Sequence, residues 1–241
     1  MLNSKSIAHI VPVKNLDYYT PEEGGYEMYL THLVEKYPEK FQEHAKKSKA
    51  YKILDNSLIE LGSAVDFQRV LDAAEVIGAD EVILPDIFRN CGLTLQAVDK
   101  ALGLKIPSHL KLMAVCQGED VANFEHCFHV LNGIPEIDVI GIPKICAKMH
   151  PCGRPAFEHL WFSTAKEIHL LGLWYSFMEY TQYLFPDRIR STDTCQAAFL
   201  TKHKLDITSI RPDGFTIDLE NDNINRRGFN ARIEELSAWI G

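Results

Sequence analysis

The chain has 241 residues, a net charge of −8 and the apolar and charged fractions of an ordinary globular protein. Its length suits one α/β barrel or two small domains. The negative charge argues against broad, nonspecific affinity for nucleic acid, which needs many Lys and Arg contacts, but it permits a local basic groove. The sequence shows no disulfide scaffold, secretory signal or apolar run of the ~20 residues that span a bilayer, so we expect a cytoplasmic protein with no membrane partner.

Eight short β-like runs recur along the chain, with helical stretches between them. Most runs are continuously apolar, which is typical of parallel strands covered on both faces. They lie at 7–13, 51–57, 81–86, 111–118, 138–144, 167–173, 188–194 and 215–221. This pattern, without a linker or a change of composition, predicts a single-domain (β/α)8 TIM barrel over residues 1–241. A doubly wound sheet is the structural alternative.

The first predicted unit contains a long excursion over residues 14–50. It is rich in aromatic residues and carries the flexible pair Gly24 and Gly25. Two interpretations are equally good, a lid over the active site or a plain helical insertion, because long loops on barrels are not always functional.

Aspartates end three of the predicted strands. They are Asp55 in "ILDNS", Asp86 in "ILPD" and Asp193 in "RSTDT". The active site of a TIM barrel is built at these strand ends, and converging carboxylates repel, which suits one to nucleophilic attack and another to proton transfer. The alternative is that each aspartate caps the helix that follows it. Three such residues, together with Gln117 at another strand end, favour an active site.

Six short motifs follow one another along the chain, mostly at these strand ends. They are "ILDNSLIELG", "IGADEVILPD", "LMAVCQGED", "VIGIPK", "IHLLGL" and "RSTDT", within about residues 50 to 195. Their order resembles that of the tRNA-guanine transglycosylase superfamily, and the chain looks most similar to the short phage-type members that place 7-deazaguanines in DNA. The resemblance implies that the protein replaces guanine in a polynucleotide with a 7-deazaguanine such as preQ0.

The resemblance implies two catalytic residues. Asp193 corresponds to the nucleophile that attacks C1′ of the target guanosine and holds the sugar as a covalent glycosyl-enzyme. Asp55 corresponds to the general acid/base. Such chemistry suits two carboxyl groups, since one carries the sugar through two displacements with retention of configuration and the other protonates the departing base.

The resemblance also implies a base-binding set. Asp86 would accept hydrogen bonds from N1 and the 2-amino group of the purine, while the Gln117 amide and the Gly141 backbone N–H would donate to O6. Gly118 would keep the pocket wall thin, and Gly172 ends the predicted sixth strand at the same mouth. Such a set rejects other bases because the wrong edge leaves its polar groups unpaired.

Basic residues that flank the predicted fifth and seventh strands are the expected polynucleotide contacts. They are Lys144, Arg154, Arg188 and Arg190. The expected substrate is DNA, with tRNA as the alternative, and a homodimer or an accessory subunit is a further possibility. Trp174 and Tyr175 follow Gly172 closely enough to stack on a base, although a role in the core is the more common one for such residues.

No metal or cofactor is expected. The tRNA-acting relatives carry a C-terminal zinc site of three cysteines and a histidine, and no cysteine follows Cys195 here, so we expect no zinc-binding subdomain. Cys146, His150 and Cys152 in "CAKMHPC" lack a fourth ligand. The chain also lacks the phosphate-binding glycine motifs of nucleotide cofactors.

Three other functions remain open at this stage. The first is the same chemistry on tRNA. The second is another barrel glycosidase or N-glycosidase that uses Asp55 and Asp193. The third is a non-catalytic binding barrel.

Overall fold

Eight parallel strands close into a barrel in a computed structural model of the protein, which describes residues 7–21, 23–172, 183, 186–209 and 214–240. The strands follow chain order around the barrel, and the last pairs with the first. They are β1 (Ile7–His9), β2 (Tyr26–Leu30), β3 (Tyr51–Asp55), β4 (Glu81–Ile83), β5 (Lys111–Val115), β6 (Val139–Pro143), β7 (Glu167–Leu171) and β8 (Ile189–Thr194). The predicted (β/α)8 TIM barrel is confirmed, and the closed sheet excludes the doubly wound alternative.

Helices surround the strands and bury their apolar faces against them. They are α1 (Thr31–Lys36), α2 (Pro38–Lys47), α3 (Leu58–Leu61), α4 (Phe67–Ile77), α5 (Cys91–Leu102), α6 (Val121–Asn132), α7 (Glu158–Trp161), α8 (Gln196–His203) and α9 (Arg226–Ile240). A large apolar core lies between the two layers, and a smaller one fills the barrel interior. In the part of the chain that the structure describes, no helix combines the length and the apolar character needed to cross a membrane.

The segment 14–50 is not a plain helical insertion, because it contributes β2 to the barrel, and the lid interpretation stays a prediction. This strand pairs with β3 along its whole length. The sequence does not show β2 as an apolar run, because Glu27 lies within the strand and is buried. The Tyr29 hydroxyl donates to the Glu27 carboxylate at 2.6 Å, and His44 of α2 contacts the same carboxylate at 2.9 Å. A hydrophobic pattern does not reveal such partners, one of which comes from a different element.

Residues 215–221 were predicted as the eighth strand, and this is wrong. They form turns and irregular structure. The barrel is already closed by β8 and β1, where Asp193 pairs with Ala8, so no edge is left for another strand. Asp218 instead accepts hydrogen bonds from the backbone N–H groups of Glu220 and Asn221, which makes a local turn. The predicted second to seventh strands are therefore β3 to β8.

A bulge in β8 decides which of its side chains enter the barrel. Ile168 of β7 pairs with Ile189, but the next residue, His169, pairs with Ser191, so Arg190 is an extra residue in β8. Bulges of this kind turn a side chain that would otherwise point to the other face. As a result Arg190 and Ser191 both reach polar groups of the barrel interior.

Arg190 closes the N-terminal end of the barrel. Its guanidinium donates two hydrogen bonds to Glu81, at 2.8 and 3.1 Å, and one to Glu167 at 3.1 Å. It also lies over the rings of Tyr26 and Tyr51, 5.2 and 5.6 Å from their centroids. Each of these four partners is the first residue of its strand. Arg190 is therefore at the end opposite the catalytic mouth, and its predicted role as a polynucleotide contact there is wrong.

Arg188 occupies the same N-terminal end. Its Nη2 donates to the backbone carbonyls of Trp161 and Thr164, at 2.8 and 2.7 Å, in the segment that leads into β7. The prediction that Arg188 contacts a polynucleotide at the mouth is therefore also corrected. Both arginines stand at the start of β8, and in a parallel barrel the start and the end of a strand lie on opposite faces of the molecule.

Replacing Arg190 with methionine is expected to destabilise the fold strongly. Among the described residues, the change leaves buried Glu81 with the Tyr51 hydroxyl, at 2.9 Å, as its one close donor. Breaking a buried pair from one side costs about 3–5 kcal/mol, which urea denaturation would measure as a loss of unfolding free energy. As a control, Arg69→Met removes an exposed pair with Glu35 and should cost about 0–1 kcal/mol. Similar small losses in both variants would contradict this account.

Candidate active site

Three aspartates lie at the C-terminal end of the barrel. Asp55 is the last residue of β3, Asp193 is the second-last of β8, and Asp86 follows β4. Burial raises the pKa of Asp55 well above its ordinary value, and the charges of Glu60, Asp193 and Asp86 raise it further. The hydrogen bond that Asp55 Oδ2 accepts from the Ser57 N–H, at 2.8 Å, only partly opposes these effects. Asp55 therefore keeps a proton to a higher pH than an ordinary aspartate.

Asp193 is held through one of its two carboxylate oxygens. Oδ1 accepts a hydrogen bond from the Gly172 N–H at 2.8 Å and lies 3.3 Å from His169 Nε2. Oδ2 accepts no hydrogen bond from any residue in the described part of the chain. Among the described residues, the carboxylate is thus held at Oδ1, and Oδ2 is open to a reacting atom.

Gly172 supports Asp193 through its backbone N–H. It has a φ of +65°, a conformation that side-chain-bearing residues rarely adopt, and a Cβ there would come within 3.2 Å of the Lys144 side chain. Its N–H is used by Asp193. The next candidates along the chain, Trp174 and Tyr175, lie outside the described residues.

Arg154 fixes the position of Gly172 and is not a surface contact. Its side chain is completely buried. Nη1 donates to the carbonyls of Ile142 and Leu171, at 3.1 and 3.0 Å, and Nη2 donates to the Gly172 carbonyl at 2.7 Å. The structure therefore corrects the prediction that Arg154 binds a polynucleotide, because its donors hold the ends of β6 and β7.

Asp86 belongs to a buried network that joins three strand ends. Asn56 Nδ2 donates to its Oδ1 at 2.7 Å, and Gln117 Nε2 donates to its Oδ2 at 2.6 Å. Burial raises the pKa of Asp86 to about 6, against the opposing effect of these two hydrogen bonds. Each carboxylate oxygen can accept a second hydrogen bond, so the network leaves acceptor capacity for a ligand.

Gln117 is oriented at both ends of its amide. While Nε2 donates to Asp86, Oε1 accepts the backbone N–H of Arg89 at 2.9 Å. Arg89 has a φ of +57°, a strained conformation for a residue with a side chain. A ligand oxygen at this site would have to use the second N–H of the Gln117 amide.

Gly118 and Gly141 are explained by packing. A Cβ on Gly118 would lie 2.5 Å from the backbone nitrogen of Phe124, so the residue lets the loop approach α6 closely. A Cβ on Gly141 would meet Leu171 at 2.8 Å and Val115 at 3.1 Å inside the barrel. Gly141 lies within β6, paired with β5 and β7, and is covered by these side chains. These contacts give both glycines a packing role, and their base-binding roles stay predictions.

Glu60 and Lys144 add a pair of opposite charges to the mouth. The residue Glu60 is exposed, yet desolvation of its carboxyl group and the charge of Asp193 raise its pKa, while Lys144 lowers it. Lys144 is exposed directly after β6, and its side chain lies beside Gly172. Sequence reasoning proposed Lys144 but missed Glu60, whose only signal was a charge in the short apolar helix α3.

The alternative that the aspartates are helix caps fits neither Asp86 nor Asp193. The N-cap of α8 is Cys195, which makes no side-chain cap hydrogen bond. Other residues cap the helices that follow β3, β4 and β5; they are Asp66 for α4, Asn90 for α5 and Asp120 for α6. Asp55 makes a local bond of this type to Ser57, before the four-residue α3.

The "CAKMHPC" residues are not arranged as metal ligands. Cys146 is buried and Cys152 is exposed, and His150 Nδ1 accepts the backbone N–H of Cys152 at 3.1 Å. Within the described ranges, no group of three or more His, Cys, Asp or Glu side chains could hold a metal ion.

Comparisons with known proteins do not assign the site to a family. Neither the protein-family models nor the curated proteins match this chain. The chemistry of the site therefore rests on its aspartates and on the donors that surround them.

Asp86 should make stability depend on pH. Its pKa rises from 3.8 to about 6 on folding, so the stabilisation from its proton is complete below about pH 4 and is lost as the pH rises through about 6. Relative to Asp86→Asn, the wild type should therefore lose about 3 kcal/mol of unfolding free energy between about pH 4 and pH 8. Urea denaturation of both proteins at the two pH values measures this, and parallel pH dependences would contradict it.

Proposed function

We propose that the protein is a base-exchange transglycosylase that replaces guanine in a polynucleotide, with DNA as the favoured substrate, by a 7-deazaguanine such as preQ0. The observation that carries this proposal is the contrast between two carboxyl groups at one barrel mouth. Asp193 Oδ1 accepts a hydrogen bond from the Gly172 N–H and lies beside His169 Nε2, so Oδ2 is the oxygen proposed to attack, while burial and neighbouring carboxyl groups raise the pKa of Asp55 and favour its protonated form.

In the first step Asp193 is the nucleophile and Asp55 the acid. A lone pair of Asp193 Oδ2 forms a bond to C1′ of the target nucleoside. The C1′–N9 bond breaks with its electron pair moving to N9, and N9 takes the proton from the Asp55 carboxyl group. Guanine leaves as a neutral base, and the sugar remains as an ester of Asp193.

The second step is the reverse with a different base. The incoming 7-deazaguanine gives its N9 proton to the Asp55 carboxylate, and the N9 electron pair attacks C1′. The C1′–Oδ2 bond breaks and returns its electron pair to Asp193. Two displacements at one carbon retain the configuration of the sugar.

Asp86 is the proposed acceptor for the purine N1–H and 2-amino groups. The two amides of Asn56 and Gln117 hold its carboxylate, and each oxygen keeps a further acceptor position. With a pKa of about 6, the group is mainly ionised at neutral pH and can accept both hydrogen bonds. A pocket built this way discriminates against purines that lack the 2-amino group.

Asp193→Asn should abolish exchange while leaving the fold intact, because an amide does not form the glycosyl ester. Asp55→Asn should slow both base departure and base arrival, since no proton is available for N9. The measurement is incorporation of labelled guanine into DNA or tRNA, with circular dichroism to check folding. Asp72→Asn, an exposed position on α4, serves as a control that should retain full exchange.

Each outcome of this assay assigns the function. Label in DNA supports the proposal, and label in tRNA moves the same chemistry to that substrate. Release of base without incorporation indicates an N-glycosidase instead. No release and no incorporation by a folded wild type would overturn the enzymatic proposal, and full exchange by Asp193→Asn would remove Asp193 from the nucleophile role.

Lys144 is the proposed phosphate contact among the four basic residues first considered, because the other three serve the fold. Each phosphate contact releases counterions, so Lys144→Gln should weaken DNA binding across sequences and lower the salt slope by about one unit. Lys105→Gln is the matched control, since Lys105 is exposed in the loop that leads into β5 at the opposite end of the barrel. Fluorescence anisotropy at several salt concentrations measures both slopes, and equal slopes would exclude Lys144.

A further inference from the structure

His169 links the nucleophile candidate to the opposite end of the barrel through hydrogen bonds. Its ring is completely buried between β7 and β8. Nδ1 lies 2.8 Å from Ser191 Oγ, and Nε2 lies 3.3 Å from Asp193 Oδ1. Ser191 Oγ in turn accepts a hydrogen bond from Arg190 Nε at 3.0 Å. We call these four residues, Arg190, Ser191, His169 and Asp193, the β8 relay.

The two ends of the relay fix the direction of every hydrogen bond in it. An arginine can only donate, so Arg190 uses an acceptor position of Ser191 and leaves the hydroxyl hydrogen free to donate to His169 Nδ1. A carboxylate that acts as a nucleophile can only accept, so the proposed role of Asp193 requires a hydrogen on Nε2. Burial lowers the pKa of His169, which keeps the ring neutral with a single hydrogen. The neutral Nε2–H tautomer satisfies all three contacts.

The start of the relay is anchored rigidly. Arg190 is tied to Glu81 by two hydrogen bonds and lies over two tyrosine rings. The bulge in β8 makes this possible, since it brings Arg190 and Ser191 to the interior in succession. An ion pair at the base of the barrel therefore determines how the imidazole presents its N–H at the mouth.

We propose that His169 is a positioning residue for Asp193, holding Oδ1 through Nε2–H so that Oδ2 faces C1′ and so that Asp193 leaves readily in the second step. This inference rests on the proposed function. When Oδ2 forms the bond to C1′, the charge of the carboxylate is lost and Oδ1 becomes the carbonyl oxygen of an ester, which is a weaker acceptor. The His169 hydrogen bond therefore stabilises the released carboxylate more than the ester.

The kinetic test is the balance between the two steps. His169→Phe keeps a flat ring and removes the donor, so breakdown of the glycosyl-enzyme by the incoming base should slow by about tenfold relative to its formation, with KM unchanged. Single-turnover rates of guanine release and of base incorporation measure the two steps, and the trapped adduct should accumulate. Ser191→Ala, a smaller change, should shift the balance in the same direction. If both steps slow equally, or neither slows, His169 has only a structural role and the proposal is overturned.

Thr192→Val is the matched control. Thr192 is buried on the same strand, and its hydroxyl donates to the Leu170 carbonyl at 2.8 Å and lies 3.5 Å from the backbone carbonyl of Asp193, so its hydrogen bonds involve no side chain of the relay. This variant loses a buried hydrogen bond, as His169→Phe does, but it leaves the His169 ring unchanged. We therefore expect a comparable loss of stability in the two variants, and a balance between the two steps in Thr192→Val that matches the wild type. A shift as large as that of His169→Phe would assign the effect to β8 packing.

The tautomer itself can be observed without any activity. In protein labelled with ¹⁵N-histidine, the ring signals that disappear in His169→Phe belong to His169, and at neutral pH they should report a neutral Nε2–H ring. An Nδ1–H ring or an imidazolium overturns the inferred orientation. If the wild type shows the Nε2–H ring but exchanges no base, the proposed function fails and with it the kinetic role, while the hydrogen-bond direction stands.

Discussion

Charged groups inside the barrel lie where little water can solvate them, and the fold depends on partners that reach them from other strands. A buried charge costs several kcal/mol unless hydrogen bonds and counter-charges replace the lost water, an order of magnitude known from other proteins. Glu81 on β4 is satisfied by Arg190 from β8 and by Tyr51 from β3. Asp86 is satisfied by amides that follow β3 and β5. These contacts tie strands together that are distant in the chain, so charge satisfaction and barrel closure depend on each other.

The two ends of the barrel differ in how completely their buried charged groups are supplied with partners. At the N-terminal end, the Arg190 guanidinium donates hydrogen bonds to Glu81 and Glu167 and lies over two tyrosine rings. At the C-terminal end, Asp55 has a raised pKa, and the described residues hold Asp193 at Oδ1. A closed network stabilises a fold, whereas a carboxyl group with unused acceptor positions has the capacity to bind a ligand. The contrast supports a site at the C-terminal mouth, where TIM barrels place their chemistry.

β8 connects these two ends. Its bulge turns Arg190 and Ser191 inward one after the other, and Asp193 follows two residues later at the mouth. The strand therefore carries a structural cation, a hydroxyl and a candidate nucleophile on the same interior surface. A regular strand would alternate its side chains between the interior and the helices, and Arg190 and Ser191 would then face opposite ways. The hydrogen-bond chain through His169 exists because this alternation is broken once.

The neighbouring loops show how backbone groups complete the mouth. Arg154 donates hydrogen bonds to carbonyls of β6, β7 and Gly172, and these bonds fix the N–H that Gly172 donates to Asp193. In the same way, the strained backbone of Arg89 orients Gln117, which orients Asp86. Local strain of this kind persists only where surrounding contacts support it. Backbone groups therefore position the polar side chains of the site together with neighbouring side chains.

Local pattern determined the barrel and the strand ends, because parallel strands buried on both faces are recognisable as short apolar runs and because Asp55, Asp86 and Asp193 directly end such runs or follow them closely. It failed for β2, where a buried Glu27 breaks the apolar pattern and is satisfied by His44 of another element. It also failed for three arginines, since a cation looks the same in sequence whether it meets phosphate or a buried carbonyl. Only the tertiary structure brought Arg190 to Glu81, 109 residues away in the chain. Long-range packing decides which group a charged side chain contacts, and the residues next to that side chain in the sequence do not indicate the contact.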